Sequence, residues 1–462
     1  MNNPVDSSIF RTYDIRGVVD ETLTEFGVEK IGQAIAGELI VAGETQVVLG
    51  RDGRLSAQRF ADAMVRGLTQ MGISVIDLGQ VMTPMCYFAA ETLDGVNSCV
   101  MLTGSHNPPH YNGIKIVIQG VTLYGDAIQA LKRRIDQNCF ETLPRPGQIL
   151  PVSISAAYQA RILEDIQLVK PLKVVVDAGN GVAGAFAPEL LRRLGCEVVE
   201  LFCDVDGHFP NHHPDPAKLK NLETLSQTVL LTGANLGIAF DGDGDRCGVV
   251  DNEGKPLYPD RQLMLYAQDV LSRVPGALVL YDIKCSALLA KVVEAAGGRP
   301  MMWKTGHSYM KAKMRETGAA LGGEVSGHMF FKERWYGFDD GLYTAARMLE
   351  ILAKAPCSAA ELFATLPNAY NTPEIEIEMA EGEPYVFMDK IREQAEFDDA
   401  QVFDLDGLRV DFEDGWGLIR ASNTTPVIVL RFEGETPEAL QRIQQRFKTL
   451  IHTVNPKLVI PF

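Results

Sequence analysis

Short apolar runs, each followed by a helix-like stretch and then a glycine, recur along most of the chain. Val47 to Leu49 leads to Asp52, Val174 to Val176 leads to Asp177, and Leu278 to Tyr281 leads to Asp282. The helical stretches after them stop at Gly72, Gly195 and Gly297, the residue type that takes the left-handed conformation just past a helix end. A second run follows each glycine (Ile73 to Leu78, Val198 to Phe202, Met301 to Trp303), and a later third run ends in a polar loop. These loops are Thr103 to Asn107 after Cys99 to Leu102, Asp241 to Arg246 after Leu236 to Phe240, and Glu324 to His328. Alternation of strand, helix and strand predicts mixed α/β layers with functional loops at one strand end. Spacing differs between the three units, so their equivalence rests on order alone.

The chain changes character from about residue 367. Trp416 to Ile419 and Val427 to Phe432 read as strands flanking Arg420 to Pro426, and Leu440, Ile443, Phe447 and Ile451 mark one face of a closing helix. This part is expected to be a small α+β lid. The divisions that follow are 1–151, 152–254, 255–366 and 367–462, which agrees with the three or four domains expected of 462 residues at 46% hydrophobic composition.

Sixty acidic against 43 basic side chains give a net charge of -17, which argues against general nucleic-acid or anionic-membrane binding. An anionic substrate would need a local basic island in a negative protein. The eight cysteines (Cys86, Cys99, Cys139, Cys196, Cys203, Cys247, Cys285 and Cys357) form no CxxC pair and no zinc spacing, so reduced thiols and a cytoplasmic setting are expected. Met1 to Phe10 lacks a basic start and an apolar core, and no run approaches 18 apolar residues, so neither a secretory leader nor a membrane span is expected. No apolar stripe demands a partner chain, and a monomer is the default.

Two of the loops carry the chemistry. Asp241, Asp243 and Asp245 alternate in a glycine-containing turn, where each pair of carboxylates at about 4 Å repels by about 4 kcal/mol at an effective dielectric near 20. They need a cation. An EF-hand is excluded, because the sixth residue from Asp241 is Arg246 and the twelfth is Asn252, where that loop requires Gly and Glu. So few oxygens, followed at once by an arginine, suit Mg²⁺ completed by a phosphate oxygen. The other loop, Thr103-Gly104-Ser105-His106-Asn107-Pro108, offers a hydroxyl, although taken alone it reads as a plain turn.

Taken with Phe10 to Gly17 (FRTYDIRG), Gly50 to Arg54 (GRDGR), Gly323 to His328 (GEVSGH) and Arg420 to Pro426 (RASNTTP), these loops resemble the α-D-phosphohexomutases, and within them the bacterial phosphomannomutase/phosphoglucomutase branch. The resemblance spans nearly the whole chain. It implies four domains around a central cleft, three related and one smaller, each giving one signature loop. It implies that Ser105 carries a phosphoryl group and passes it to a hexose monophosphate, that a hexose 1,6-bisphosphate forms and turns around, and that phosphate thereby moves between O1 and O6. Glucose 1,6-bisphosphate would serve as activator, and Mg²⁺ would be held by Asp241, Asp243, Asp245 and an oxygen on Ser105.

The same resemblance makes Lys115 and His328 the acid/base candidates, with His106 as a supporting donor and Arg246 directed at the phosphoserine or substrate oxygens. For Lys115 the alternative is an inward lysine that neutralises charge, and for Arg246 an ion pair with the aspartates. Glu324 and Ser326 are expected to bind sugar hydroxyls at C3 and C4, where glucose and mannose agree, so that both are accepted. Arg420, Ser422, Asn423 and Thr424 would clamp the non-reacting phosphate, with Tyr13, Arg16, Lys284 and His307 adding to the basic island. The nearest alternative is a phosphoglucosamine mutase, but Gly244, the Thr103-Gly104 opening and Asn423 lean away from that branch. A silent relative would have lost part of the machinery, and a dedicated hydrolase would not need a second phosphate clamp.

Overall fold

The computed structural model describes residues 5–380, 382–422 and 425–462. Its three α/β units share one strand order. In the first, Gln46–Arg51 lies between Ser74–Gln80 and Cys99–Leu102, parallel to both, and Tyr111–Ile118 returns antiparallel against Cys99–Leu102. In the second, Lys173–Asp177 lies between Glu197–Leu201 and Leu236–Phe240, with Cys247–Asp251 returning. The third repeats this with Leu278–Asp282 between Arg299–Trp303 and Leu321–Gly323, and Met329–Phe331 returning. The equivalence inferred from order is therefore one of topology. Each polar loop joins the third parallel strand to its antiparallel return.

The strands form where they do because their burial is nearly continuous: Leu236–Phe240, Cys247–Asp251 and Leu278–Asp282 are buried along their whole length, as sheets covered on both faces require. The helices end as the glycines foretell. Gly72, Gly195 and Gly297 stand at φ +96°, +97° and +79°, just past Ala57–Gln70, Ala187–Arg193 and Leu288–Ala295.

The last part is an antiparallel sheet containing Leu408–Phe412, Gly415–Ala421 and Val427–Gly434. The helix Pro437–Val454 packs on it through Ile443, Phe447 and Ile451, in a core separate from those of the other units. Its junction with the third unit is narrow: Ile283, Trp416 and Leu418 form a small apolar cluster. Buried Arg409 donates there to the carbonyls of Ile283 (2.6 Å) and Cys285 (2.8 Å), Arg431 donates to that of Lys284 (2.6 Å), and Arg409 stacks over Trp416 at 4.0 Å. Among the described residues no helix is long and apolar enough to cross a membrane.

The GRDGR segment holds the serine loop in place. Arg54, buried, donates to four backbone carbonyls of that loop, Ser105 (2.8 Å), Asn107 (2.6 Å), Pro108 (2.6 Å) and Tyr111 (2.9 Å). Asp52 accepts from Thr103 Oγ1 at 2.7 Å and from the Gly104 amide at 3.3 Å. A lysine has the charge but not the planar fork that reaches four carbonyls. Arg54→Lys is expected to destabilise the first unit by about 2–4 kcal/mol, the loss of one or two charge-assisted hydrogen bonds, read as a lower midpoint in urea unfolding. An unchanged midpoint would refute this account of the loop.

Candidate active site

Ser105 sits at φ +48°, a left-handed conformation that only a constrained loop imposes on a non-glycine residue. Its hydroxyl is buried, 3.0 Å from Asp241 Oδ2 and 3.1 Å from His106 Nδ1. The serine loop and the aspartate loop belong to different sheets, and they meet at Gly242. A Cβ there would stand 2.3 Å from the Ser105 carbonyl oxygen, so no larger residue permits the approach.

Asp241, Asp243 and Asp245 are fully buried and offer carboxylate oxygens that lie within 4.8 Å of one another. Lys115, on the return strand of the first unit, donates to Asp243 Oδ2 at 2.7 Å and to Asp245 Oδ2 at 2.5 Å, and Thr83 Oγ1 also donates to Asp243. The Oδ1 atoms of Asp243 and Asp245 are buried without a hydrogen-bond partner. Unpartnered carboxylate oxygens facing a common space are what a hard divalent cation takes up, so the residues present fit such an ion. Burial, with repulsion from Asp243 and Asp245, pushes Asp241 well above the usual carboxylate range. Burial would raise Asp243 as well, but Lys115 outweighs it and holds Asp243 low. The same aspartates overcome the cost of burying Lys115 and hold it protonated above the ordinary lysine value. This geometry suits the alternative reading of Lys115, a neutralising cation, better than a proton-transfer role.

Arg246 and His328 lie side by side because their backbones form an antiparallel bridge between the second and third units. Arg246 Nε donates to His328 Nε2 at 3.0 Å and lies 3.8 Å from Asp241 Oδ2, so it serves both the histidine and, weakly, the aspartates. His328 Nδ1 lies 3.0 Å from Asp339 Oδ2 and 3.7 Å from Asp245 Oδ1. Burial, with the nearby charges of Arg246 and Arg16, pushes His106 well below the ordinary histidine value, leaving it neutral beside the serine.

Three further candidates, Tyr13, Glu324 and His307, meet at Thr305 to His307, and Arg16, Lys284 and Arg420 lie in ion pairs of their own. Tyr13 donates to the Thr305 carbonyl at 2.8 Å, and its ring closes on Gly306, which stands at φ +129° and where a Cβ would come within 2.7 Å of that ring. Glu324 Oε1 accepts from the Gly306 amide at 2.5 Å, and Ser326 is half-buried two residues on. His307 stacks on His328 with ring centroids 5.5 Å apart. Lys284 pairs with Glu374 at 2.6 Å, Arg420 with Asp406 at 3.2 Å, and Arg16 with Asp14 at 2.5 Å. Ser422 Oγ lies 3.1 Å from Thr425 Oγ1, while Asn423 and Thr424 lie outside the described residues.

Sequence reasoning missed Asp339, Thr83, Glu374 and Asp406. The Asp339-Asp340 pair before a helix carried half a signal: Asp340 caps Gly341–Lys354 by accepting from the Tyr343 amide, a role its position announces. Nothing local separates its neighbour Asp339, which turns to the site. Glu374 and Asp406 came to light only through their ion pairs with Lys284 and Arg420.

Comparison with known proteins agrees with this architecture. Family models for the phosphoglucomutase/phosphomannomutase domains match in order: α/β/α domain I over residues 7–142, domain II over 156–254, domain III over 258–370 and the C-terminal domain over 374–450. A phosphomannomutase/phosphoglucomutase of Pseudomonas putida is 54% identical over 98% of this chain and 98% of its own. The crystal structure of a phosphoglucomutase/phosphomannomutase family protein from Burkholderia thailandensis superposes with a TM-score of 0.94 at 51% identity, covering 99% of this chain and 100% of that one. A probable phosphoglucosamine mutase of Methanopyrus kandleri stands further off, at 34% identity over 96% of this chain and 97% of its own. Four matched domains, a shared fold over the full length and the converging serine, aspartate and basic loops place the chain in the phosphoglucomutase/phosphomannomutase family, the α-D-phosphohexomutases.

Proposed function

We propose that this phosphohexomutase moves phosphate reversibly between O1 and O6 of both mannose and glucose phosphates, through a phosphoryl group carried on Ser105 and a hexose 1,6-bisphosphate. The observation that supports this most directly is the buried Ser105 hydroxyl, 3.0 Å from a three-aspartate cluster with unpartnered oxygens. Lys284 and Arg420, each paired with a carboxylate, would hold the second phosphate. The dual name of the Pseudomonas putida relative supports acceptance of both sugars.

Asp241, Asp243 and Asp245 would hold Mg²⁺, which when bound offsets the phosphoserine charge of about -1.5 to -2 and polarises the phosphoryl group. In the transfer, a sugar hydroxyl oxygen bonds to phosphorus as the bond from phosphorus to Ser105 Oγ breaks. The hydroxyl proton passes to His328 Nε2, and Oγ takes up one proton from water, which His328 returns to water when the transfer is over. Arg246 covers Nε2 in the present arrangement, and a phosphate dianion competes for that guanidinium, uncovering the lone pair. Lys115 stays charged and fixes two of the aspartates. Because phosphoryl transfer has a loose transition state, this positioning of charge accounts for most of the catalysis.

The bisphosphate then turns around, and its other phosphate returns to Ser105. Both orientations must be held by one set of groups, which a clamp reading only phosphate and the C3 and C4 hydroxyls provides. Lys284 and Arg420 are paired with carboxylates here, so an incoming phosphate exchanges one anion for another without leaving a bare buried cation.

Side-by-side turnover of mannose 1-phosphate, glucose 1-phosphate and glucosamine 1-phosphate with Mg²⁺ and a trace of glucose 1,6-bisphosphate tests the assignment. Comparable rates for the first two and little for the third are expected; preference for the amino sugar would overturn it. Ser105→Ala is expected to lose turnover by about 10³-fold or more and to lose the added phosphoryl mass from the intact protein. Burial pushes Glu324 up to about 7, against the pull of His328. The ionised carboxylate accepts from sugar hydroxyls and grows in above that pH, so kcat/KM should rise as pH increases through about 7, and Glu324→Gln should be slower and lack that rise. A Glu324→Gln profile parallel to the parent would remove Glu324 from sugar recognition.

A further inference from the structure

Buried His328 and Asp339 and half-buried Arg246 meet outside the serine loop with a strict division of protons. Arg246 Nε can only donate, and it lies 3.0 Å from His328 Nε2, so that nitrogen is an acceptor and carries no hydrogen. The neutral ring therefore bears its proton on Nδ1. That atom lies 3.0 Å from Asp339 Oδ2, close enough to share a hydrogen after a small turn of the ring, and both atoms are buried with no hydrogen-bond partner as they stand. Asp339 is itself held. Its Oδ1 accepts from Lys311 Nζ at 2.9 Å, its backbone bridges to Phe330, two residues beyond His328, and it is fully buried.

We propose that Asp339 is a positioning residue for His328: its Oδ2 takes the Nδ1 hydrogen, fixes the ring in the Nδ1–H form and so keeps the Nε2 lone pair directed away from the carboxylates. This rests on the reading of His328 as the group that takes the sugar proton. Asp245 is the weaker candidate for the same task, since its Oδ1 is 3.7 Å away and its Oδ2 is bound to Lys115. Asp245, His328 and Asp339 also converge closely enough to hold a second cation. The hydrogen that the Arg246 contact leaves on Nδ1 occupies that space, and Lys115 and Lys311 already stand on the far oxygens of both carboxylates. His307 Nδ1, 3.8 Å from Asp339 Oδ2, is the other ring that faces this carboxylate.

The arrangement has the logic of an aspartate behind a catalytic histidine, where loss of the carboxylate leaves the residues in place but the wrong nitrogen protonated. Asp339→Asn is thus expected to lower kcat by about 100-fold, the low end of what a positioned general base contributes, with KM within about threefold. The decisive comparison is with His328→Ala in the Mg²⁺-loaded, phosphorylated enzyme. If Asp339 acts through His328, the double variant has the kcat of His328→Ala within about threefold, because there is no ring left to orient. A further loss of about 100-fold in the double variant, or an Asp339→Asn enzyme with near-parental kcat, overturns the proposal. A His328→Ala enzyme that turns over at the parental rate is a separate failure, since it removes the proton-transfer reading on which the proposal rests. A measurement on the unmutated protein guards against misfolded variants. Nitrogen-15 NMR of the neutral His328 ring, assigned by its absence from His328→Ala, should show hydrogen on Nδ1, and hydrogen on Nε2 would overturn the assignment.

Discussion

The crowding of Asp241, Asp243 and Asp245 in one buried turn is the constraint on which the rest of the site depends. Three carboxylates buried in one turn cannot all ionise without compensating charge, and the fold supplies it. Lys115 arrives on the return strand of the first unit, Arg246 follows the turn directly, and Thr83 donates to Asp243 from the start of a helix. These partners take some oxygens and leave others bare, and the bare ones define where a divalent cation belongs. The serine, the histidine and the arginine are each positioned by reference to that cluster.

The three-unit plan and the glycine stops were legible because they follow from local rules: continuous apolar runs make buried parallel strands, and a left-handed residue ends a helix. The shared strand order was not legible, since pairing between Gln46–Arg51 and its two neighbours is decided at long range. The signature loops pointed to Ser105 and the aspartates, which the fold brings within hydrogen-bond distance of one another, and to Glu324 and Arg420, whose roles belong to the proposed function. The acids that face the basic residues were hidden because Glu374 and Asp406 stand in unremarkable segments: Glu374 gains Lys284 only where the third and fourth parts meet, and Asp406 gains Arg420 only through the folding of the fourth part itself. Lys115 shows a subtler limit. Its type and place were readable, but whether it transfers protons or holds charge depends on what it touches, and it touches two carboxylates.

The paired state of the cleft also explains how a protein of net charge -17 can receive an anion. Arg16, Lys284 and Arg420, the cations expected to form a basic island, are already neutralised by Asp14, Glu374 and Asp406. On the proposed function, binding would be an exchange of counter-ions within a fixed framework, which limits the net gain from any one phosphate contact.

The contact of Gly242 with the Ser105 carbonyl joins two sheets that share no strand pairing. The separation of Ser105 and the aspartate cluster is thus set by how two units pack, as the gap between the jaws of a caliper is set by its slide. Disturbances far away in the interface between those units, in side chains that never approach a sugar, are transmitted to that gap, so the reaction rate of this enzyme is also a gauge of the alignment of its first two units.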